Sequence, residues 1–344
     1  MSILGRAVRK SRRLVGQAQN KLWPGAIVLA YHRVADLSTD PQLLCVRPKH
    51  FKEQLEVLRD EFSVVSLRDL VHRIADRKSL RRLVTITFDD GYADNLWNAK
   101  PLLETHQTPA TIFVTSGYLD GDREFWWDEM DRLLERGEQA VPSFTVEVNG
   151  SVTHWPLTQE VAAGEGPAIA QWNVLSPTDP TPRERAYRQS CELLRPLSFE
   201  ERCRLTAPLR GQSGPRQQHK ILTQRELQEM ASDGLIEIGA HTVTHPLLSN
   251  TAPARQQAEI EGSKARLEEI LGRPVYSFSY PYGNKQAYTD ETVGLVRSAG
   301  YESACSNFEG HVRSNLDRYQ IPRYLVRDWG GDEFSRQLRR WLHE

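Results

Sequence analysis

The chain has 344 residues, of which 39% are hydrophobic and 26% charged, values typical of a globular protein and not of a disordered or fibrous one. Its 44 basic and 45 acidic residues give a net charge of -1, which argues against a general nucleic-acid-binding protein because such proteins carry a basic excess. No apolar run is long enough to span a membrane, and the four cysteines follow no CxxC spacing, which indicates buried thiols and not a disulfide framework or a cysteine zinc site.

The chain begins with a basic segment, residues 1–22, in which no acidic residue occurs. The segment lacks the apolar stretch of about 7–15 residues and the cleavage site of a signal peptide, so we expect an uncleaved, cytoplasmic protein. Apolar residues between the cations leave two alternatives. The segment forms an amphipathic helix on the inner face of the membrane, or it is a solvated tail, which the small apolar face favours.

Five short apolar runs rich in β-branched residues predict strands buried in a parallel sheet. They cover residues 26–31, 83–88, 111–114, 235–238 and 275–280. Helical spacings separate them, as in Phe51, Leu55 and Leu58 and again in Ile260, Leu267 and Ile270. Alternating strands and helices predict an α/β fold built on a parallel sheet or barrel.

The stretch 126–215 has a different pattern and is interpreted as a mixed α+β insertion. Asn149-Gly150 joins two alternating runs and predicts a hairpin, and helical patterns follow at 183–194 and 198–209. The insertion either caps the functional site or is a purely structural excursion. The predicted barrel then comprises residues 23–125 and 216–328, and the helical spacing in 329–344 predicts a C-terminal helix.

Polar residues of types that take part in catalysis or metal binding follow two of the predicted strands. Asp89 and Asp90 end the strand at 83–88, and two adjacent carboxylates repel each other unless a cation or a proton intervenes; the alternative is a helix N-cap with a solvated neighbour. His241 and His245 follow the strand at 235–238, and in a helical turn both would reach one metal ion. Two histidines and a carboxylate form a ligand set that leaves positions open for water and substrate.

Two further strand ends carry weaker signals. Tyr280-Pro281-Tyr282-Gly283 is either an ordinary turn or a fixed loop that directs the Tyr282 backbone N–H at a developing oxyanion. His32 follows the first strand. By itself it is interpreted as a structural histidine, and it gains interest only because the other strand ends carry reactive groups.

Taken together, these motifs resemble the polysaccharide deacetylase, or NodB-homology, family. The resemblance rests on the order and spacing of 87–92 (Thr-Phe-Asp-Asp-Gly-Tyr), 241–246 (His-Thr-Val-Thr-His-Pro) and 280–283 (Tyr-Pro-Tyr-Gly). The early Tyr31-His32-Arg33-Val34 is similar to one branch of the family. The resemblance covers most of 25–125 and 220–325 and implies a distorted (β/α) barrel, in agreement with reactive residues at carboxyl ends of strands.

The resemblance also implies roles for single residues. Asp90, His241 and His245 would hold one divalent metal ion, with zinc as the expected metal, and Asp89 would be the general base that activates water. The Tyr282 N–H would stabilise the oxyanion, and His32 would protonate the leaving amine. His311 is the alternative acid, although its surroundings do not resemble the family's late motif.

The sequence departs from the family pattern at Ser279, where many members have an arginine paired with the base. Arg323 is a candidate replacement, or it is a plain structural arginine. Trp126 is a candidate for stacking on a sugar, although packing of the insertion against the barrel is the favoured alternative because a tryptophan buries a large area.

These implications predict a metal-dependent hydrolase that removes an N-acetyl group from an amino sugar, in a polysaccharide, an oligosaccharide or a lipid- or nucleotide-linked glycan precursor. Two alternatives remain open. One is a catalytically silent carbohydrate-binding module of the same fold, and the other is an amidase that acts on a non-sugar amide. The expected partner is an N-acetylated glycan and not a nucleic acid.

Overall fold

The computed structural model describes residues 25–136, 140–158, 166–210 and 215–343. Residues 1–22, for which a membrane-surface helix or a solvated tail was expected, lie outside this part of the chain. Within it, no helix has both the length and the apolar character needed to cross a lipid bilayer. The four cysteines form no disulfide, and three of them are buried.

Parallel strands form the centre of the molecule. The main ones are β1 (Ile27–Tyr31), β5 (Leu83–Phe88), β6 (Ala110–Val114), β9 (Ile236–Ala240), β10 (Ser277–Ser279), β11 (Ser303–Cys305) and β12 (Tyr324–Leu325). They lie in the order β11-β10-β9-β6-β5-β1-β12, and β4 (Ser63–Val64) pairs with the start of β5. Their apolar sequences are buried on both faces, as predicted.

The sheet curls into a distorted barrel, which confirms the predicted fold class. Ile321 bridges β11 at Cys305, and three residues later Tyr324 pairs with Leu29 of β1. The segment between these two pairs therefore crosses the seam of the barrel. Arg323 lies in this segment and is completely buried.

Helices pack around the sheet. They are α1 (Pro48–Glu61), α2 (Leu67–Ala75), α3 (Lys100–Thr105), α8 (Gln224–Met230), α9 (Pro253–Leu271), α10 (Asp290–Ser298) and α11 (Gly331–His343). Three of them, α1, α9 and α11, lie where the sequence predicts helices. The predicted apolar faces of α1 and α9 are buried in the main hydrophobic core together with Phe334, Leu338 and Trp341 of α11.

The predicted insertion contains α4 (Trp126–Asp131), the hairpin β7 (Ser143–Val148) and β8 (Ser151–Pro156), α5 (Gly166–Ala170), α6 (Pro182–Leu194) and α7 (Phe199–Arg210). The hairpin turns at Asn149 and Gly150, both with positive φ, as the Asn-Gly signal predicts. A second hydrophobic core joins these elements to Tyr92, Phe125 and Ile221 from outside the insertion. A short parallel pair, β2 (Arg33–Val34) and β3 (Cys45–Val46), lies nearby.

Candidate active site

Asp89 is held by an arginine from the barrel seam. Arg323 Nη1 donates to Asp89 Oδ1 at 2.8 Å and Nη2 donates to Oδ2 at 2.6 Å, a two-bond pair between fully buried groups. Burial raises the pKa of Asp89, but the positive charge and hydrogen bonds of Arg323 outweigh burial and leave this pKa well below its ordinary value. Asp89 is therefore ionised at neutral pH.

Ser279 explains why this arginine can replace the one expected there. Arg323 Nη2 donates to the Ser279 hydroxyl at 2.9 Å, and Arg323 also donates to Thr87, Ser306 and Asn307. A small residue at position 279 leaves room for a guanidinium that arrives from the opposite strand of the seam. The cation beside Asp89 is thus Arg323, the candidate replacement identified from the sequence.

Asp90, His241 and His245 converge on one point. His241 Nε2 lies 3.6 Å and His245 Nε2 3.5 Å from Asp90 Oδ1, and the possible ligand atoms all lie within 4.8 Å of one another. Ligands about 2.0–2.1 Å from a tetrahedral zinc ion lie roughly 3.4 Å apart. No hydrogen bond from another described residue reaches the Asp90 carboxylate. The donor set and its spacing therefore fit a divalent metal ion.

The environment of the trio also favours a cation. All three side chains are buried, and burial together with the negative charge of Asp89 raises the pKa of Asp90 well above its ordinary value. Burial lowers the pKa of both histidines, which keeps their imidazoles neutral and able to bind a metal. His241 Nδ1 donates to the Ser279 carbonyl at 2.7 Å, which directs Nε2 at the site.

The two histidines do not lie on a helical turn, contrary to the prediction from their four-residue spacing. Residues 241–246 form a loop after β9 in which Thr242 and His245 have positive φ. This backbone brings the two rings to 4.9 Å between centroids. Asp90 and Tyr282 also have positive φ, so four non-glycine residues in a strained conformation surround one point, as happens at functional sites.

Two buried charged side chains fix the 241–246 loop. Glu259 of α9 accepts hydrogen bonds from the Val243 N–H at 2.9 Å and the Thr244 N–H at 2.8 Å. Arg202 of α7 donates to the carbonyls of His245 at 3.1 Å and Thr244 at 3.2 Å. Neither residue was identified from the sequence, since each lies on a helix without a motif and acts through backbone atoms.

The site opens into a small cavity of about 100 Å³. Four of the candidate residues outside the metal trio line it, namely His32, Asp89, Trp126 and Tyr282, together with Gln42, Leu44, Trp127, Arg195 and Asn307. Trp127 and Tyr282 place their rings 5.0 Å and 4.8 Å from the His245 ring. Aromatic walls of this kind shield one side of the candidate metal ligands from water.

The structure bears differently on the two weaker candidates, Trp126 and Tyr282. Trp126 lines the cavity but is only 4% exposed, and its ring packs against Trp127 and beneath the Arg202 guanidinium, so packing accounts for most of its surface. Among the described residues, no acceptor takes the Tyr282 backbone N–H. That N–H remains a candidate donor for an oxyanion.

His32, and not His311, belongs to this cavity. His32 follows β1 at its carboxyl end, and burial lowers its pKa to about 4 even though the negative charge of Asp89 raises it. His311 precedes Val312, which pairs with Ala26 at the amino end of β1. The alternative acid therefore lies at the opposite end of the barrel from Asp89.

Comparison with known proteins identifies the family of the chain. The polysaccharide deacetylase family profile matches residues 76–164 and 201–304, more than half of the chain. The poly-β-1,6-N-acetyl-D-glucosamine N-deacetylase of Staphylococcus aureus is 28% identical over 134 residues, which cover 36% of this chain and 44% of that protein. The enzyme of the same name from Escherichia coli K12 is 28% identical over 118 residues, which cover 33% of this chain and 18% of that protein. The chain thus matches less than half the length of these curated relatives.

Solved structures show the same fold at low identity. The Streptococcus pyogenes deacetylase PplD, in complex with acetate, aligns with a TM-score of 0.57 and 18% identity over 91% of this chain and 97% of its own. IcaB from Ammonifex degensii aligns with a TM-score of 0.57 and 19% identity, over 93% of this chain and 97% of its own. The family profile, together with this fold, places the chain in the polysaccharide deacetylase family, whose members are hydrolases of carbon–nitrogen bonds other than peptide bonds.

Proposed function

We propose that this protein is a metal-dependent N-deacetylase that hydrolyses the N-acetyl group of an amino sugar within a glycan. The observation that carries the proposal is the juxtaposition of an ionised carboxylate, Asp89, with the trio Asp90, His241 and His245 in one buried cavity. A carbohydrate-binding module would gain nothing from a buried base beside a metal-binding trio. The family membership and the named activity of the relatives support the same reaction.

The reaction needs a base, an acid and stabilisation of negative charge. A divalent metal such as zinc would be held by Asp90, His241 and His245 and would polarise the acyl oxygen and lower the pKa of water. Asp89, which Arg323 holds in place, removes the proton from the attacking water. The Tyr282 N–H donates to the oxyanion that develops on the acyl carbonyl.

His32 completes the cycle as the acid that protonates the leaving amine. Its lowered pKa means that the imidazole is neutral at neutral pH in the substrate-free protein. The acid role therefore requires His32 to take up a proton during turnover, and the nearby negative charge of Asp89 is the group that favours this uptake.

Acetate release tests the function directly. Protein freed of metal by a chelator and then reloaded with zinc is incubated with N-acetylated oligosaccharides, with nucleotide- and lipid-linked N-acetyl sugars, and with a simple aryl acetamide. We expect acetate from a sugar substrate only after reloading. Release from the aryl acetamide alone would identify a non-sugar amidase, and no release from any substrate would contradict the proposal.

A cytoplasmic location and a membrane contact through residues 1–22 stay proposals. Cell fractionation of the full chain and of a variant that lacks residues 1–22 tests both. If the two proteins are recovered equally in the membrane fraction, the basic segment makes no membrane contact of consequence.

A further inference from the structure

One cation in the wall of the catalytic cavity has no counter-ion. Arg195, directly after helix α6, lines the cavity and is exposed to solvent. Its guanidinium carbon lies 5.5 Å from the centroid of the Tyr282 ring, and that ring lies 4.8 Å from the His245 ring. Among the described residues, no carboxylate forms an ion pair with Arg195. An unpaired positive charge therefore lies at the mouth of the cavity, one aromatic ring away from the candidate metal ligands.

A second arginine without a carboxylate partner also contacts Tyr282. Arg202 Nη1 lies 3.5 Å from the Tyr282 hydroxyl, and the other hydrogen bonds of Arg202 go to backbone carbonyls of the 241–246 loop. In the part of the chain that the structure describes, this guanidinium forms no ion pair either. The wall around Tyr282 therefore carries an excess of positive charge.

The described carboxylates that line the cavity do not offset this excess. Asp89 is already paired with Arg323, and Asp90 belongs to the candidate metal trio. A cleft whose walls carry one sign of charge attracts ligands of the opposite sign. The mouth of the cavity therefore favours a ligand that carries a negative charge over a neutral one.

The backbone that carries Arg195 is held at several points. The Arg195 N–H donates to the Cys191 carbonyl at 3.1 Å, and the side chain of Asn250 donates to the Pro196 carbonyl at 2.8 Å. The preceding residue, Leu194, is completely buried in the second hydrophobic core. A charge on a fixed support loses less conformational freedom on binding than one on a mobile support. Arg195 is thus preorganised to bind a ligand.

An alternative role for Arg195 is to stabilise helix α6. A cation at the C-terminal end of a helix interacts favourably with the helix dipole, and Arg195 is the C-cap residue of α6. This role predicts no effect on which substrate is preferred. The position favours recognition instead, because residues 165–200 lie between the two stretches that match the family profile, and binding residues are concentrated outside the shared scaffold of a fold.

We propose that Arg195 binds a negatively charged group of the substrate, a phosphate or a carboxylate, on or next to the N-acetylated sugar. A guanidinium offers paired donors that match the oxygens of both groups. The inference rests on the proposed function and narrows its substrate class to anionic glycans or glycan precursors. Arg195 is then a specificity-determining residue that takes no part in the chemical step.

The first test compares neutral and anionic substrates by kcat/KM. The neutral substrate is methyl N-acetyl-β-glucosaminide, and the anionic ones are N-acetylglucosamine 1-phosphate, N-acetylglucosamine 6-phosphate, N-acetylmuramic acid and UDP-N-acetylglucosamine. We expect at least one anionic substrate to be preferred by about five- to thirtyfold, between the values for an exposed ion pair and for a hydrogen bond to a charged group. The preferred compound identifies the anion as a phosphate or a carboxylate. If no anionic substrate exceeds the neutral one, the proposal is wrong.

Variants on helix α6 and at its end locate the preference. Arg195→Met removes the charge at similar length and should bring the ratio of anionic to neutral kcat/KM close to one, whereas Arg195→Lys should keep part of the ratio. Arg185→Met, at an exposed position of the same helix and outside the cavity, is the matched control and should keep the full ratio. An unchanged ratio in Arg195→Met would assign anion recognition to another group, such as a bound metal ion, and would contradict the proposal.

A binding measurement separates this proposal from the proposed function. The zinc-loaded protein and its Arg195→Met variant are titrated calorimetrically with the deacetylated forms of the same five compounds, which require no turnover. Tighter binding of an anionic compound by the unaltered protein than by the variant supports the anion site even if no acetate is ever released. Equal binding of all five compounds by both proteins contradicts the anion site even if the protein proves to be a deacetylase.

Discussion

Two neighbouring aspartates have opposite environments, and this difference defines their chemistry. Asp89 faces the guanidinium of Arg323, which keeps it ionised, whereas Asp90 faces two neutral imidazoles and has no cationic partner of its own among the described residues. Asp89 therefore supplies a charge that is already neutralised, and Asp90 supplies one that still requires a cation. Without the family resemblance, the sequence shows two adjacent carboxylates and not which has which role.

Asp89→Asn should retain metal and lose turnover. The amide preserves size but cannot take a proton from water, so we expect kcat to fall by about 10²–10⁴-fold, the range for loss of a general base. Metal content measured by mass spectrometry should stay near that of the unaltered protein. A variant with full rate would show that another group is the base.

His241→Ala should lose metal and activity together. The substitution removes one of three protein ligands and leaves the buried Asp90 carboxylate facing His245 alone. We expect stoichiometric metal in the unaltered protein and little in the variant after equal dialysis against a weak chelator. Metal retained at full occupancy would contradict the ligand assignment.

The pKa of Asp131 predicts a pH-dependent effect on stability. Burial is the largest influence and raises this pKa to about 6, against the opposing charge of Arg216. A raised pKa in the folded state means that the stability associated with Asp131 is complete at acidic pH and is lost as the pH rises towards and past about 6.

Asp131→Asn should therefore gain stability relative to the unaltered protein as the pH rises. Between pH ~4.5 and pH ~7.5, the difference in unfolding free energy should shift in favour of the variant by on the order of 1–2 kcal/mol. Urea unfolding of both proteins at the two pH values measures this shift. The same difference at both pH values would show that Asp131 has an ordinary pKa in the folded protein.

At the scale of elements, helix α7 of the predicted insertion contacts the candidate metal site. Arg202 is 1% exposed, donates to the carbonyls of Thr244 and His245 in the 241–246 loop and also lies 3.5 Å from the Tyr282 hydroxyl. The loop conformation is strained at Thr242 and His245, so contacts from outside must maintain it. We therefore expect Arg202 to position the candidate metal ligands through the loop backbone.

Arg202→Met should weaken metal binding by about 10–100-fold, as expected when a partner that orients a ligand is lost. Competition with a chelator of known affinity measures the change. Arg204→Met, two residues away on the same helix and exposed, is the matched control. Equal metal affinity in both variants would assign Arg202 a role in stability alone.

For the whole molecule, the second hydrophobic core packs the insertion against the barrel, so we expect the two to unfold as one unit. Tyr92 comes from the loop after β5, and its hydroxyl donates to Asp128 of α4 at 2.7 Å. Phe125 stacks on Trp127 at 4.5 Å between ring centroids. Since Phe125 and Trp127 of this core also pack against the His245 ring, loosening the core should disturb the candidate metal site.

Leu194→Ala tests this coupling. Leu194 of α6 is completely buried in the second core, and its truncation should cost about 2–5 kcal/mol of unfolding free energy. Tryptophan fluorescence and far-UV circular dichroism should still report one coincident transition. Two separated transitions would show that the insertion unfolds independently of the barrel.

Local patterns in the sequence determined much of this structure. Apolar β-branched runs predicted five strands within about two residues at most ends, and Asn149-Gly150 predicted the hairpin, because burial on both faces and positive φ each demand particular residue types. The resemblance named the candidate residues at the strand ends. Strand ends meet at one edge of a parallel barrel, so the grouping of Asp89, Asp90, His32 and the 241–246 loop followed from the fold class.

Only the tertiary structure decided how those residues are held. The pairing of Arg323 with Asp89 joins residues 234 positions apart. The hydrogen bonds from Arg202 to the 241–246 loop come from a segment with no recognisable motif. The conformation of that loop, a strained turn and not a helix, depends on these contacts as well. Periodicity and spacing report which face of an element is buried, but long-range hydrogen bonds to backbone atoms leave no pattern in a single sequence, because any residue supplies the backbone.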